Sequence, residues 1–391
     1  MNGRSLNQKK LKVGIIGANW GLKFHSPAWR LFEDVEIAAV CTAHRETAEA
    51  AAQKFGIEKA YWNIADLMAD PNIDIIDVGG RPSYRYNMVM AAIASGKHVY
   101  NALPFAMNIA QARSMLDAQR EQNIIGVIDA QFRHMPAVMH MKELIDEGFI
   151  GMPLGFNVQL MMPLINYDQF TYPLAAWPEG GMSPYPWLGD IDSGASGWRN
   201  FGAHATLLLA HLLGPVEEIC GELATGIKLW KFPDGSRIEP TTHDLGCATL
   251  KLANGAIGNL QTGWCTPDAV CLRVEVWGDM GRLQLVDTSF GNGVSARLYA
   301  GDGRLISHGS SVGDWVDIPE RFYKVPGTGL SKANARPFMM SMARMFYSMK
   351  EAIAGRAAAS PNFAEALHAQ MVVAALERSQ QTREKVRINQ M

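Results

Sequence analysis

Asn200 and His204 stand four residues apart in the run Arg199-Asn200-Phe201-Gly202-Ala203-His204-Ala205-Thr206-Leu207. On a helix that spacing turns both side chains to one face. An amide that can hold an oxygen would then share a cleft with an imidazole that titrates near neutral pH. That pair suits proton transfer at a hydroxyl, with His204 as general acid/base and Asn200 on the oxygen. Read alone, a histidine on so apolar a helix also fits a satisfied core residue. A second stretch, Lys97-His98-Val99-Tyr100-Asn101-Ala102-Leu103-Pro104-Phe105, is a short strand running into a proline turn. In an open α/β sheet, ligands gather at the carboxyl ends of such strands.

A third stretch, Gly17-Ala18-Asn19-Trp20-Gly21-Leu22, begins on the last residue of the β-rich run Leu11 to Gly17 and opens a helical pattern. The dinucleotide fingerprint has glycine at its first, third and sixth places. Here Gly17 keeps the first, Asn19 holds the third, and Gly21 comes one place early. Asn tolerates a left-handed backbone, which makes Asn19 a mild substitution. Leu22 should push the helix slightly off the strand. A pyrophosphate would lie against the backbone N–H groups from Trp20 to Lys23. The second strand ends in Cys41-Thr42-Ala43-His44-Arg45, without the acid that usually binds the NAD ribose. Thr42 and His44 are placed to meet that ribose and Arg45 to pair with a 2′-phosphate, which favours NADP over NAD. The other reading leaves Arg45 solvated on the first turn of a helix, a poor place for a cation.

The elements that must position these residues follow from periodicity. Strands at 36–41, 59–62, 74–78, 98–101 and 124–128 alternate with helices at 21–32, 46–55, 83–94 and 108–120, which predicts a parallel, doubly wound sheet. A helix opens at Pro136 and ends by Gly148, and residues 151–162 read as a strand. Residues 163–197 are dense in Pro, Gly and aromatics, among them Tyr167, Phe170, Tyr172, Trp177, Tyr185 and Trp187. So long an irregular stretch reads as a binding loop or lid, or as an arm packed on a partner subunit. A helix at 198–213 precedes closely spaced β-rich runs at 217–223, 246–251, 258–265, 271–277 and 281–286, the pattern of an antiparallel sheet. Helices at 336–355 and 362–385 close the chain.

With 391 residues, 48% hydrophobic, the chain suits two domains, divided here as 1–129 and 130–391. A formal net charge of −2 gives no reason to expect nucleic acid or an anionic membrane. No apolar run approaches the length of a membrane span. The polar, basic start, Met1 to Lys10, reads as a short leader and not a signal peptide. Five scattered Cys without a C-x-x-C pair suit reduced thiols in a cytoplasm. The Cys and His spacings match no metal site.

Gly96-Lys97-His98-Val99 followed by Pro104, together with the 200–207 run, resembles the Gfo/Idh/MocA family of nicotinamide-dependent oxidoreductases. The resemblance implies an α/β protein: an N-terminal Rossmann doubly wound parallel sheet, then a C-terminal α/β domain on an open, mainly antiparallel sheet. It implies NAD or NADP as cofactor, a small-molecule substrate, and a homodimer or homotetramer built through the second sheet. It puts Gly80, Arg81, Asn101 and Pro104 beside the cofactor and decides for His204 as a site residue. In that family the proline turn usually reads Glu-Lys-Pro, and the lysine takes part in catalysis. Here those places hold Ala102, Leu103 and Pro104. The family's second motif carries Asp where this chain has Asn200.

Of the groups left, only His204 titrates usefully. Loss of the charge pair should make the pocket more apolar and His204 harder to protonate. The expected substrate is a CH–OH compound, sugar-like or hydrophobic and aryl-bearing. Arg133, His134, Tyr185 and Arg199 are candidate substrate contacts. Arg81 and Arg85 could meet a phosphate or an acidic group, or lie in solvent beyond a helix capped by Ser83. Two alternatives stay open: a non-redox lyase or hydrolase-like enzyme that retains its dinucleotide, and a dinucleotide-binding regulator.

Overall fold

The computed structural model describes residues 10–165, 185–266, 271–288, 295–307, 310–336 and 338–391. The N-terminal sheet has six strands: β1 (Leu11–Ile16), β2 (Val35–Cys41), β3 (Lys59–Tyr61), β4 (Ile75–Val78), β5 (His98–Asn101) and β6 (Gly126–Ile128). Their order is β3-β2-β1-β4-β5-β6, and every pairing is parallel. Strand order reverses between β1 and β4, so a crevice opens beyond their carboxyl ends. The connections are α1 (Ser26–Trp29), α2 (Arg45–Phe55), α3 (Ile64–Ala69), α4 (Pro82–Ala94) and α5 (Ile109–Glu121). Covered on both faces, β4 is buried at all four positions and so reads as a continuous apolar run, with one exception, Asp77.

The second half adds α6 (Pro136–Asp146), β7 (Pro153–Met161), α7 (Ala203–Leu213), β8 (Val216–Ala224), β9 (Trp230–Lys231), β10 (Arg237–Ile238), β11 (Leu245–Leu252), β12 (Ile257–Gly263), β13 (Leu272–Gly278), β14 (Gly281–Asp287), β15 (Arg297–Ser307) and β16 (Ser310–Val316). Helices α8 (Met339–Ile353) and α9 (Phe363–Thr382) and the short strand β17 (Val386–Arg387) follow. Strands β9 and β10 form a small ribbon; the others make a nine-stranded sheet in the order β16-β15-β14-β13-β7-β12-β11-β8-β17. Only the β7–β12 pair in it is parallel. Along β11, Ala248, Leu250 and Leu252 are buried while Cys247 and Thr249 are exposed, the alternation of a sheet with one covered face.

The last two helices return to the first half of the chain. Helix α9 starts with a capping box: the Asn362 side chain accepts from the Ala364 and Glu365 amides, and the Glu365 carboxylate accepts from the Asn362 amide. Just before it, the Pro361 carbonyl accepts from the Ile128 amide at 3.0 Å, extending the edge of β6. Phe363 packs edge-on against Phe105, and Phe346 of α8 stacks on Trp29 with centroids 3.6 Å apart. A cut at residues 129/130 thus divides the chain but not the hydrophobic core. In the 163–197 stretch, Tyr167, Phe170, Tyr172 and Trp177 lie outside the described residues. Its end forms two 3-10 turns, Pro186–Gly189 and Ile191–Ser193.

Candidate active site

A cavity of about 390 Å³ opens at the carboxyl edge of the parallel sheet, where the loops after β1, β4, β5 and β6 meet the second domain. Its polar lining includes Asn19, Arg81, Arg85, Asp129, Gln131, Asn200 and His204. Trp20, Leu103, Phe132, Met162, Phe201 and Trp264 supply apolar wall, and Tyr185, Trp187 and Leu188 close it from the end of the aromatic stretch.

The glycine turn reaches this cavity by a different route from the one expected. Gly17 has φ +102°, a conformation open to glycine and strained for most other residues. Asn19 is not left-handed: among the described residues, those other than glycine with positive φ are Asn123, Phe338 and Arg383. Leu22 does not hold the helix away, because the close approach has moved to Gly21. A Cβ there would stand 2.6 Å from Ile15 Cγ2. The chain takes a π turn over Gly21–His25 before α1, and Leu22 is fully buried. Gly79 packs on the same turn, where a Cβ would lie 3.3 Å from the Gly21 nitrogen. Backbone of Gly17 to Trp20 and of Gly79 and Gly80 is therefore left facing the cavity, a wall that can approach a pyrophosphate.

The proline turn is held by buried polar groups. Arg85, on α4, is 4% exposed and donates to the carbonyls of Gly80, Ala102 and Pro104. Burial lowers its guanidinium to about 9, partly opposed by the field of Asp129. Asn200 donates from Nδ2 to the Leu103 carbonyl at 3.3 Å, and Asn101 from Nδ2 to the Phe105 carbonyl at 3.2 Å. Asn101 and Pro104 thus shape the turn from behind, while Ala102 and Leu103 face the cavity. Arg81 stays exposed at the rim, 5.7 Å above the Trp187 ring. Arg85 thus takes neither role the sequence left open, being engaged by backbone carbonyls, and α4 begins after Arg81 with no side-chain cap from Ser83.

His204 lies on α7, 7% exposed, with its ring edge-on to Phe132. Among the described residues its Nδ1 has no hydrogen-bond partner. Burial pulls the imidazole down to about 4, and Asp129 acts the other way. At neutral pH it is an uncharged base beside the cavity. Tyr185 is raised by burial and remains a neutral phenol.

One cluster escaped the sequence reading. His25 is wholly buried, with Nδ1 at 2.8 Å from Asp77 Oδ1 and Nε2 at 3.2 Å from Asp129 Oδ2. Trp29 donates to Asp77 at 2.9 Å, and Tyr100 and Trp20 donate to Asp129 at 2.9 Å and 3.3 Å. Burial alone would depress His25, but the two carboxylates win and raise it to about 10. Asp129 is likewise lowered against the cost of its burial, chiefly through His25. The available signal was two acids tied to apolar strands, Asp77 inside β4 and Asp129 just past β6; buried carboxylates need a partner.

Other candidates lie away from the cavity. Arg133 is buried against Glu365 at 2.7 Å, Ser360 at 2.7 Å and His211 at 3.2 Å. It ties the turn after β6 to the start of α9 and does not line the cavity. His134 is pushed well below its ordinary range, by burial first and then by neighbouring cations. Arg199 clamps Glu377 at 2.6 Å and the Ile191 carbonyl at 3.0 Å. Arg133, His134 and Arg199 do not line the cavity, while Tyr185 does. At the end of β2, Thr42 donates to the His44 carbonyl, and Arg45 pairs with Glu49 at 2.8 Å beneath Trp62. All three side chains lie outside the cavity, on the half of the sheet where a dinucleotide's adenosine end would rest. Among the described residues no group of three or more His, Cys, Asp or Glu is placed to hold a metal, and no helix is long and apolar enough to cross a membrane.

Comparison with known proteins agrees with this layout. Residues 11–129 match the family model described as oxidoreductase family, NAD-binding Rossmann fold, and residues 138–284 match the GFO/IDH/MocA C-terminal domain. Levoglucosan dehydrogenase of Pseudarthrobacter phenanthrenivorans is 25% identical over 275 residues, 65% of this chain and 67% of that one. D-apiose dehydrogenase of Paraburkholderia graminis is 32% identical over 151 residues, 38% of this chain and 40% of that one. A levoglucosan dehydrogenase solved in complex with NADH superposes with a TM-score of 0.80 at 21% identity, covering 97% of this chain and 99% of that chain.

Proposed function

The chain belongs to the Gfo/Idh/MocA family of NAD-binding oxidoreductases, and on that premise we propose that it interconverts a secondary alcohol and its ketone with NAD(P), using His204 as the proton acceptor and donor. The observation that carries this reading is the placement of His204: a neutral imidazole in the same cavity as the glycine turn, with no other free base near it among the described lining residues. Gly17 to Trp20, Gly79 and Gly80 would hold the dinucleotide, whose nicotinamide supplies or accepts hydride when bound. Asn200 both braces the turn and faces the cavity, so its amide is placed to orient the substrate oxygen. Leu103 takes the place of the family's lysine and offers no proton.

Aromatic and aliphatic side chains dominate the remaining wall, which favours a ring stacked on Trp264 or Phe132, either an aryl group or the apolar face of a sugar. The relatives named as sugar dehydrogenases support a polyol-like substrate. For the adenosine end, the absence of an acid after β2 supports NADP alongside NAD, with Arg45 exchanging Glu49 for a 2′-phosphate. The test is absorbance at the reduced-nicotinamide band with a panel of cyclic polyols, anhydrosugars and aryl alcohols. Stoichiometric change with at least one is expected. Turnover without any absorbance change, abolished by stripping nucleotide, would instead establish the non-redox reading that Leu103 favours.

A further inference from the structure

We propose that Asp129 is the fixed counter-ion of the cavity, the carboxylate that balances the single positive charge passed from the oxidised nicotinamide to His204. The inference rests on the oxidoreductase reading above. In alcohol oxidation the C–H bond breaks and its hydride goes to the nicotinamide, which loses its positive charge. The O–H bond breaks and its proton goes to the imidazole, which gains one, while the carbon–oxygen double bond forms. The oxidant is the pyridinium dinucleotide. The cavity thus holds one extra positive charge before the step and one after it, at two different atoms. A wall of Leu103, Asn200 and aromatic rings offers neither atom a partner.

Asp129 does. Among the described residues it is the only carboxylate lining the cavity, and it follows β6 directly, on the β4-β5-β6 half of the sheet that remains for the nicotinamide once the adenosine lies over β2. Four donors hold it ionised: His25 at 3.2 Å, Tyr100 at 2.9 Å, Trp20 at 3.3 Å and, with the Gln131 amide oriented to satisfy its neighbours, that nitrogen at 3.0 Å. Asp77 keeps His25 protonated from behind, so His25 cannot take the proton away from His204's side of the cavity. The other charged groups on the lining are cations. Arg85 is turned onto the carbonyls of the proline turn, and Arg81 sits at the rim. Two arginines make a pyridinium unwelcome, and the one carboxylate is what offsets them.

The experiment is calorimetric titration of the wild-type protein and Asp129→Asn with NAD⁺, NADH and ADP-ribose, the last lacking the ring. Asp129→Asn should weaken NAD⁺ on the order of tenfold, the effect of a unit charge at protein-like dielectric. NADH and ADP-ribose should change by less than about twofold. Equal loss for NAD⁺ and NADH, or no loss, overturns the proposal. If Asp129→Asn does not fold, Asp129→Ser, smaller and equally uncharged, is titrated in its place; the same shift of NAD⁺ against NADH is expected, and an unchanged ratio there overturns the proposal too. Wild-type protein that binds none of the three overturns the oxidoreductase reading and this inference with it. Binding of all three with a ratio indifferent to Asp129 overturns the inference alone.

Discussion

The proline turn and the sheet floor face each other across one cavity and treat charge in opposite ways. At the turn, Ala102 and Leu103 carry no charge, and the backbone is braced by the neutral Asn200 and by Arg85 from behind. On the floor, two carboxylates and an imidazolium are buried within hydrogen-bonding distance of one another. The difference teaches that an apolar wall in this site does not mean an uncharged site. The turn carries no ionic side chain at Ala102 and Leu103, while the floor gathers Asp77, Asp129 and His25, with Asp129 itself lining the cavity. There, indole and phenol donors can satisfy them and water cannot screen them.

The contrast can be broken from either side. The largest effect is expected at the one titratable group between the two walls: His204→Ala should lower kcat by about 10²–10⁴-fold, with NAD(P) affinity nearly unchanged by calorimetry. Undiminished turnover would remove His204 from its role. On the floor, His25→Leu strands two buried carboxylates without a cation, and equilibrium urea unfolding should show a loss of about 3–5 kcal/mol. A loss below 1 kcal/mol would mean the cluster is not ionic, since about that much follows from ordinary surface changes.

Next in size is the pH dependence of stability, where the two walls pull in opposite directions. His204 and His211 have folded values near 4, below their ordinary 6.5, so stability falls as pH drops from 6.5 through about 4 and the unfolded chain takes up protons first. His25 is raised to about 10, so its contribution is complete below 6.5 and is lost as pH rises through about 10. Thermal melts from pH 4 to 10 should therefore peak near 6.5. The alkaline loss should vanish in His25→Leu, and its persistence there would assign it elsewhere. The smallest effect lies outside both walls. Arg45→Ala should lower NADP affinity relative to NAD by about threefold to tenfold, a partly screened charge contact, and an unchanged ratio would remove Arg45 from the phosphate site.

Much of this was legible along the chain. The parallel strands announce themselves as apolar runs, and Asn200 and His204 line one cavity as their spacing suggested, although Asn200 sits on a π turn, Trp198–Gly202, that leads into α7. Strands β15 and β16 were missed because Gly301, Gly303 and Gly313 break their pattern, and β17 because two residues carry no period. Arg133 and Arg199 read as substrate contacts from their neighbours in sequence. Their actual partners, Glu365 and Glu377, lie more than 170 positions away on α9.

The sequence alone determined the α/β architecture and the glycine turn, because each depends on local period or on residue type, while the reading of Leu103 and His204 as site positions rested on the family resemblance. Tertiary structure alone decided the floor of the site. His25, Asp77 and Asp129 sit on three separated segments, and each is an ordinary polar residue until packing removes water from all of them together. Burial then makes a partner obligatory, and only the fold says which partner that is.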